Sequence, residues 1–427
     1  MLRVMWNSAP LLTGMFLLML GNGLQGTVLG LRGGLEDFGN LAMGFVMAGY
    51  FLGFLVGAQI TPWLLRRVGH VRVFAALASM MSAAMILYAS VVDPIAWLLM
   101  RVLVGCCMAG CYVVAESWLN DGTDNEHRGQ VLSGYLIVQM LGIVVSQSLI
   151  NVADPGGYDL FVIMAVAVSV AVVPILLSAT PVPVFEATRR MSLAKLFQTS
   201  PLGCVGTVLL GGIFACLFGM SAVYATEIGL TTAQISIFIG VVYLGGLALQ
   251  YPIGWMSDRM DRRILIMLVT AVGMVASLFA LFFASSFLTL LAASFLIGGT
   301  ANPLYSLLIA HTNDFLEPED MASAAGGLIM LNGIGAAGTP IFVGYLMDEA
   351  GPASFMTFLA LLLGAISAYA LYRSFVRPAT PVDETLPLAP MSMASSPVAG
   401  FAAQDYVVEQ AEAEARERDE PEEPQPT

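Results

Sequence analysis

Charge is what this sequence has least of. Only 11% of its 427 residues are Asp, Glu, Lys or Arg, against about 25% in an ordinary soluble domain, while 58% are hydrophobic and the mean hydropathy is +0.81. That balance excludes a water-soluble globular chain. Histidine (3) and cysteine (5) are scarce, and neither recurs at zinc-binding spacing. Cys106, Cys107, Cys111, Cys204 and Cys216 lie in or at the start of apolar runs, which points to reduced, packed thiols rather than a disulfide framework. No Walker-type lysine loop is present, so direct ATP hydrolysis lacks its phosphate cradle. Also missing are the alternating segments of about ten residues that mark a membrane β-barrel. No cofactor, metal centre or enzymatic constellation is implied, and nucleic acid is not an expected partner.

What fills the sequence is long apolar runs. A helix needs about 20 such residues to cross a bilayer, and segments at 9–31, 41–65, 71–92, 95–117, 129–151, 157–178, 203–226, 231–257, 263–284, 288–311, 323–346 and 353–375 qualify. The expected fold is therefore an all-α membrane protein of twelve transmembrane helices. The first run is full length and lacks a convincing cleavage site, so it reads as a span rather than a leader. With the N-terminus inside, short inner segments hold Arg3, Arg66, Arg67, Arg72, Arg128, Arg189, Arg190, Lys195, Arg259, Arg262, Arg263, Arg373 and Arg377, against Arg32 alone outside. Positive-inside asymmetry then puts both termini in the cytoplasm. Residues 378–427 carry 11 acids and 2 bases, −9 of the total −13, so the membrane body is only −4 and the acidic balance says nothing about substrate charge.

The chain repeats itself. Pro62-Trp63-Leu64-Leu65-Arg66-Arg67-Val68-Gly69 is answered by Gly254-Trp255-Met256-Ser257-Asp258-Arg259-Met260-Asp261, pairing Arg67 with Arg259 and Gly69 with Asp261 at an offset of 192. At an offset of 193, Gly105 pairs with Gly298, Tyr112 with Tyr305, Asn120 with Asn313 and Asp121 with Asp314. Two matches at nearly one offset indicate a duplication with six spans per half. The expected organisation is an N-terminal half at 1–178, a linker at 179–202, a C-terminal half at 203–376 and a disordered acidic tail at 377–427. A short interfacial helix is expected from Ser192, and another helix is possible at 404–419.

These residues resemble the major facilitator superfamily. Gly254-x-x-x-Asp258-Arg259-x-Asp261-Arg262-Arg263 is similar to its loop signature between spans 8 and 9, with Asp261 where Gly is usual. The first-half copy is degraded. Arg101-x-x-x-Gly105 resembles a span 4 motif of proton-coupled members, although span 5 lacks the Gly-Pro signature of many antiporters. Within the superfamily, Ala115-Glu116-Ser117-Trp118-Leu119 with Arg128-Gly129, and Gln250-Tyr251-Pro252-Ile253-Gly254, resemble a poorly characterised bacterial YcaD-like group. The resemblance implies a monomeric secondary transporter in the bacterial inner membrane, moving a small solute by alternating access, with proton coupling and export preferred. It also implies a conformational latch at Arg67, Gly69, Gly254, Asp258, Arg259, Arg262 and Arg263.

Polar residues inside spans are the candidates for the site, because a charge in lipid costs roughly 2.5–3.5 kcal/mol even on the lenient scale. Arg101, Gly105, Met108, Tyr112 and Glu116 share an arc of about 80° on one helix face. Arg101 and Glu116 are roughly 22 Å apart along it, too far to pair. Both are proton-coupling candidates, and Glu116 has a competing reading as a helix-end carboxylate paired with Arg128. Arg101 also suits an anionic group. Asn22 and Gln25 in span 1, Tyr112, Tyr243 and Gln250 in span 8, and Asn302 and Tyr305 in span 10 are the remaining cavity candidates, with interhelical hydrogen bonding as their alternative. Gly49-x-x-x-Gly53-x-x-x-Gly57 is read as a packing stripe, as is Gly333-x-Gly335-x-x-Gly338, which lacks the strand a dinucleotide fingerprint needs. Two further functions stand beside transport of an organic solute. One is Cu(I) import, from the pairs Met15/Met19, Met43/Met47, Met81/Met85 and Cys107/Cys111. The other is a non-transporting membrane sensor or assembly partner.

Overall fold

The first half begins with α1 (Leu2–Leu35), α2 (Asn40–Val68) and α3 (His70–Ser90) and continues through α4 (Pro94–Asp121), α5 (Asn125–Leu149) and α6 (Asp159–Leu176). A short α7 (Leu193–Thr199) leads to α8 (Pro201–Ala215), a π-helical turn (Cys216–Met220) and α9 (Ser221–Glu227), which together make one span. The second half is completed by α10 (Thr232–Ser257), α11 (Arg262–Phe283), α12 (Phe287–Asn313), α13 (Pro318–Ala350) and α14 (Ala353–Val376). This computed structural model describes residues 2–121, 125–177, 191–283 and 286–376. The acidic tail with its expected helix, the first half of the linker (179–190) and the Arg128 side chain lie outside the described residues. Among the described residues there are twelve spans long and apolar enough to cross a membrane and no strand. Large apolar side chains such as Leu99, Val166, Phe282 and Leu361 are exposed around the bundle, which suits a lipid-facing surface and not a wet one.

Local chemistry sets the breaks between spans. Ser200 caps α8 and Pro201 opens it, Thr231 and Gln234 form a capping box on α10, and Ser192 caps α7 as expected. Gly69 and Gly351 stop helices at φ of +83° and +81°, a conformation that costs glycine nothing. The π-turn has no counterpart in the sequence expectation of an unbroken seventh span. Gly333-x-Gly335-x-x-Gly338 lies inside continuous α13, where Gly335 faces the Val208 backbone.

The duplication reappears in the packing. In the first half α1 packs on α5 and α6, α2 on α4, and α3 on α4 and α6; in the second, α8 packs on α13 and α14, α10 on α12, and α11 on α12 and α14. The seams correspond residue by residue. A Cβ at Gly53 would strike the Val102 carbonyl and one at Gly105 the Tyr50 carbonyl; in the repeat, Gly245 meets the Phe295 carbonyl and Gly298 that of Val242. Lipid removes the hydrophobic drive between helices, so such backbone contact through small residues supplies the attraction.

The halves meet chiefly at the end of the bundle that holds Asp37. There α2 meets α13, α1 meets α9 and α5 meets α10. Gly39 gives α2 no side-chain cap. Asp348, near the end of α13, supplies one from the opposite half, its carboxylate accepting from Asn40 N at 3.1 Å and Leu41 N at 2.9 Å. The Ser236 hydroxyl donates to the Gln147 carbonyl at the same end.

Two outcomes are expected in thermal unfolding of the detergent-solubilised protein. Gly53→Leu overpacks the α2–α4 seam and should cost about 1–3 kcal/mol; an unchanged melting temperature would show that the helices separate freely there. Asp348→Ala should cost about 1 kcal/mol, the usual loss of a helix cap, and a variant as stable as wild type would mean that water replaces the carboxylate without penalty.

Candidate functional site

Between the halves lies a cavity with about 1260 Å³ of empty space, counted out to its mouth. Its walls come from α1, α2, α4 and α5 on one side and from α8, the π-turn, α9, α10, α12 and α13 on the other. Towards the Asp37 end it reaches Thr27, Gln147, Ser221 and Ala222, beneath the contacts that join the halves.

Among the described residues Arg101 is the charged residue of the wall, and it is 4% exposed. The α2–α4 seam sets its place, since Gly49 lies against Leu98 and the Arg101 Cβ. One guanidinium nitrogen, Nη1, donates to Gln25 Oε1 at 3.0 Å; Nη2 contacts Met47 Sδ at 3.5 Å; and the Tyr50 ring centroid is 4.8 Å from the guanidinium carbon. Nε has no acceptor among the described residues. Asn22 donates to the Tyr50 hydroxyl at 3.4 Å, while its own Oδ1 and the Nε2 of Gln139 lack partners there. In the second half Asn302 and Asn332 are tied to the Gly298 and Thr207 carbonyls at 3.0 and 3.4 Å.

Aromatic rings line both sides. Tyr50, Phe54 and Tyr112 form one string with centroids 6.2 and 6.0 Å apart. Phe214, Phe218 and Tyr243 form the other, at 5.7 and 4.8 Å. Phe218 belongs to the π-turn, a kind of helical irregularity frequent at functional sites.

Of the residues singled out in the sequence, Asn22, Arg101, Tyr112, Tyr243 and Asn302 are brought together on the cavity wall. Gln25 stands one layer behind, holding Arg101. Gln250 is not on the wall and donates to Ser306 at 3.5 Å. Tyr305 is buried off the wall, within electrostatic reach of Glu116. Glu116 is itself fully buried below the cavity, accepting from the Tyr135 hydroxyl at 3.3 Å, and its neighbour Ser117 shares a 3.0 Å hydrogen bond with His70 Nε2. Arg32 pairs with Glu36 at 2.6 Å, away from the cavity. Sequence reasoning did not single out Tyr50, Phe54, Phe214, Phe218, Gln139 or Asn332. Gln139 and Asn332 carried a usable signal, a polar side chain within an apolar run.

The loop motif lies at the opposite end of the bundle. Arg67 sits over the Trp63 ring at 5.4 Å, and Arg259 over Trp255 at 4.3 Å. Gly69 makes the turn between α2 and α3, and Gly254 accepts from the Asp258 backbone N–H as α10 ends. Arg263 is clasped by Asp261, 2.7 Å between Nη2 and Oδ2. The buried centre is Arg262, which reaches Ser257 Oγ at 3.1 Å, the Ala310 carbonyl at 3.3 Å and the Asp314 carboxylate at the end of α12; Asp258, 38% exposed, lies 3.7 Å from it. By the duplication, His70 occupies the position of Arg262 and Ser117 that of Ala310. The same two helix ends are therefore bridged in both halves by different chemistry.

The match to known proteins follows the same outline. Two relatives are uncharacterised transporters of the superfamily named YcaD. That of Escherichia fergusonii is 22% identical over 341 residues, covering 79% of this chain and 88% of the relative. That of Escherichia coli K12 is 24% identical over 342 residues with the same coverage. Among solved structures, the nucleoside transporter NupG superposes with a TM-score of 0.68 at 16% identity, over 86% of this chain and 98% of that one. A bacterial homologue of the human lysosomal transporter Spinster, solved inward-facing and unoccupied, gives 0.67 at 14% identity over 95% and 98%. At these identities the structures speak for the fold alone. The model of the Major Facilitator Superfamily matches residues 11–196 and 202–403, and the chain belongs to that family, whose members are transporters rather than enzymes.

Proposed function

We propose that this protein is a secondary transporter that moves a small solute through the inter-half cavity by alternating access, coupled to protons and working in the direction of export. The observation that carries the reading is the cavity itself, built at the junction of two duplicated halves and sealed at one end by contacts between them. Positive-inside orientation makes the Asp37 end periplasmic. Both termini and the cavity mouth then face the cytoplasm, in the inner membrane, in an inward-facing state that loads solute from inside. The Cu(I) reading is weaker, because the Met47 sulfur faces the Arg101 guanidinium and the Met19 sulfur takes the Tyr112 hydroxyl at 3.2 Å. Reconstitution of the purified chain with an internal pH dye tests the proposal. Solute-dependent proton flux is expected for some member of a panel of sugars, amino acids and organic acids, and silence across the panel counts against it.

Glu116 is the proposed proton carrier and Arg101 the coupling or solute-binding cation. A carboxylate sealed between α4 and α5, beside Tyr135 and one turn from the cavity residue Tyr112, is placed to exchange protons when the halves rearrange. Glu116→Gln is expected to abolish solute-dependent proton flux while leaving solute exchange across the membrane. Accumulation against a gradient in that variant removes Glu116 from the mechanism.

The Arg262 cluster is proposed as the latch that holds the α10–α11 turn to the end of α12. Burial raises the Asp314 carboxyl from its ordinary 3.8 to about 6, and the adjacent Arg262 offsets only part of this. Between those values the folded protein binds a proton that the unfolded chain does not. The contribution of Asp314 to stability is therefore full below about pH 4 and lost as the pH rises through about 6. Asp261 has the opposite sign: burial alone would raise it, but hydrogen bonds from Arg263 outweigh burial and hold it below 3.8, so its window lies at lower pH. Asp314→Asn should remove part of the drop in melting temperature between pH 4.5 and 7.5, and an identical drop in wild type and variant would refute the assignment.

A further inference from the structure

Arg101 is a buried cation whose neighbours are all neutral. An amide oxygen, a thioether and a phenol ring surround its guanidinium, and one of its N–H groups has no acceptor among the described residues. A charge removed from water is held most economically by a carboxylate or a set of carbonyls, and a lone desolvated cation is a costly arrangement. Among the described residues no Asp or Glu lines the cavity, and Glu116 is behind the wall. Two more polar atoms on the same wall, Asn22 Oδ1 and Gln139 Nε2, also lack partners among the described residues. Unmet hydrogen-bonding capacity is thus concentrated on one wall, around a positive charge, whereas Asn302 and Asn332 opposite are already bonded to backbone.

The remaining surface is aromatic. One string of rings runs from Tyr50, beneath the guanidinium, to Tyr112, and the facing string from Phe214 to Tyr243. Aromatic rings on both sides favour a flat or apolar body, and a planar guanidinium favours a two-oxygen anion through bidentate, charge-assisted hydrogen bonds. Resting on the transport reading above, we infer that the solute is an amphipathic organic anion, with a carboxylate-class head at Arg101 and an aromatic or flat apolar body between the two strings. A cationic solute would meet an unbalanced like charge. A sugar would leave the cation without a counter-charge.

The test uses three probes with one body and different heads: 3-phenylpropionate, 3-phenylpropionamide and 3-phenylpropylamine. Binding to the purified, detergent-solubilised full chain is measured by thermal shift and calorimetry at pH 7. The carboxylate is expected to bind about tenfold or more tightly than the amide, as a charge-assisted hydrogen bond implies, and the amine is expected to give no stabilisation. Arg101→Gln should erase the preference and Arg101→Lys should keep part of it. The wild-type comparison stands even if a variant fails to fold. The inference is overturned if the amine binds as well as the carboxylate, if the preference survives in Arg101→Gln, or if the carboxylate produces no shift. Transport is separable from it: flux of neutral or cationic solutes alone in proteoliposomes would sink the anion assignment and leave a transporter, whereas carboxylate binding without flux of any solute would leave the site and remove the transport reading.

Discussion

The contact on which the rest depends is the one between the backbones of α2 and α4. Helices in a bilayer gain nothing from hiding apolar side chains from lipid tails, so they must come close enough for dispersion and weak polar contacts to accumulate. Gly49, Gly53 and Gly57 on one helix and Gly105 on the other allow this, each facing main chain or the first atoms of a side chain. The seam is also what carries Arg101 into the protein interior. With α2 this near, the guanidinium lies over Tyr50 and against Met47 instead of reaching a headgroup. In the second half the equivalent seam keeps the central glycines as Gly245 and Gly298 but has Val241 and Leu249 in place of Gly49 and Gly57, and Ser294 in place of Arg101, so duplication preserved the central contact while only one copy holds the charge.

The fold was almost wholly legible in the sequence, and for physical reasons. Twelve apolar runs interrupted by Gly, Pro and charge are all that lipid permits a helical protein to show, and the repeat at 192–193 residues paired the halves before any contact was known. The site was legible where polarity was conspicuous, at Arg101, Asn22, Tyr112, Tyr243 and Asn302. It was not legible at Phe54, Phe214 and Phe218, because a phenyl ring in a span faces lipid or cavity with no difference in sequence. Periodicity also says nothing of depth. Gln250 lies two turns from Tyr243 on the same helix, yet the cavity does not extend to it, and Tyr305 echoes Tyr112 in sequence while packing near Glu116 instead of on the wall. The π-turn that places Phe218 had no signature of its own.

The ionic motif shows a related gap. The resemblance to the loop signature drew attention to Asp258, but Asp258 is the exposed member and Arg262 the buried one. Replacing the usual Gly with Asp261 secures Arg263 locally, which leaves Arg262 for α12. In the first half a hydrogen bond between His70 and Ser117 spans the same helix ends. At this end one half is therefore held by an ion pair and the other by an imidazole–hydroxyl hydrogen bond, two contacts that salt screens to different degrees.

At the other end of the bundle the fastening is made in a way that sequence drift can barely touch from one side. Asp348 binds the main-chain N–H groups of Asn40 and Leu41, and every residue except proline presents that donor. Side-chain replacement at either α2 position keeps the partner intact, so the strength of the contact is adjustable almost solely through residue 348. A contact built this way depends on a single carboxylate, and a chain with a different residue at 348 would have a retuned junction between the halves without any compensating change in α2.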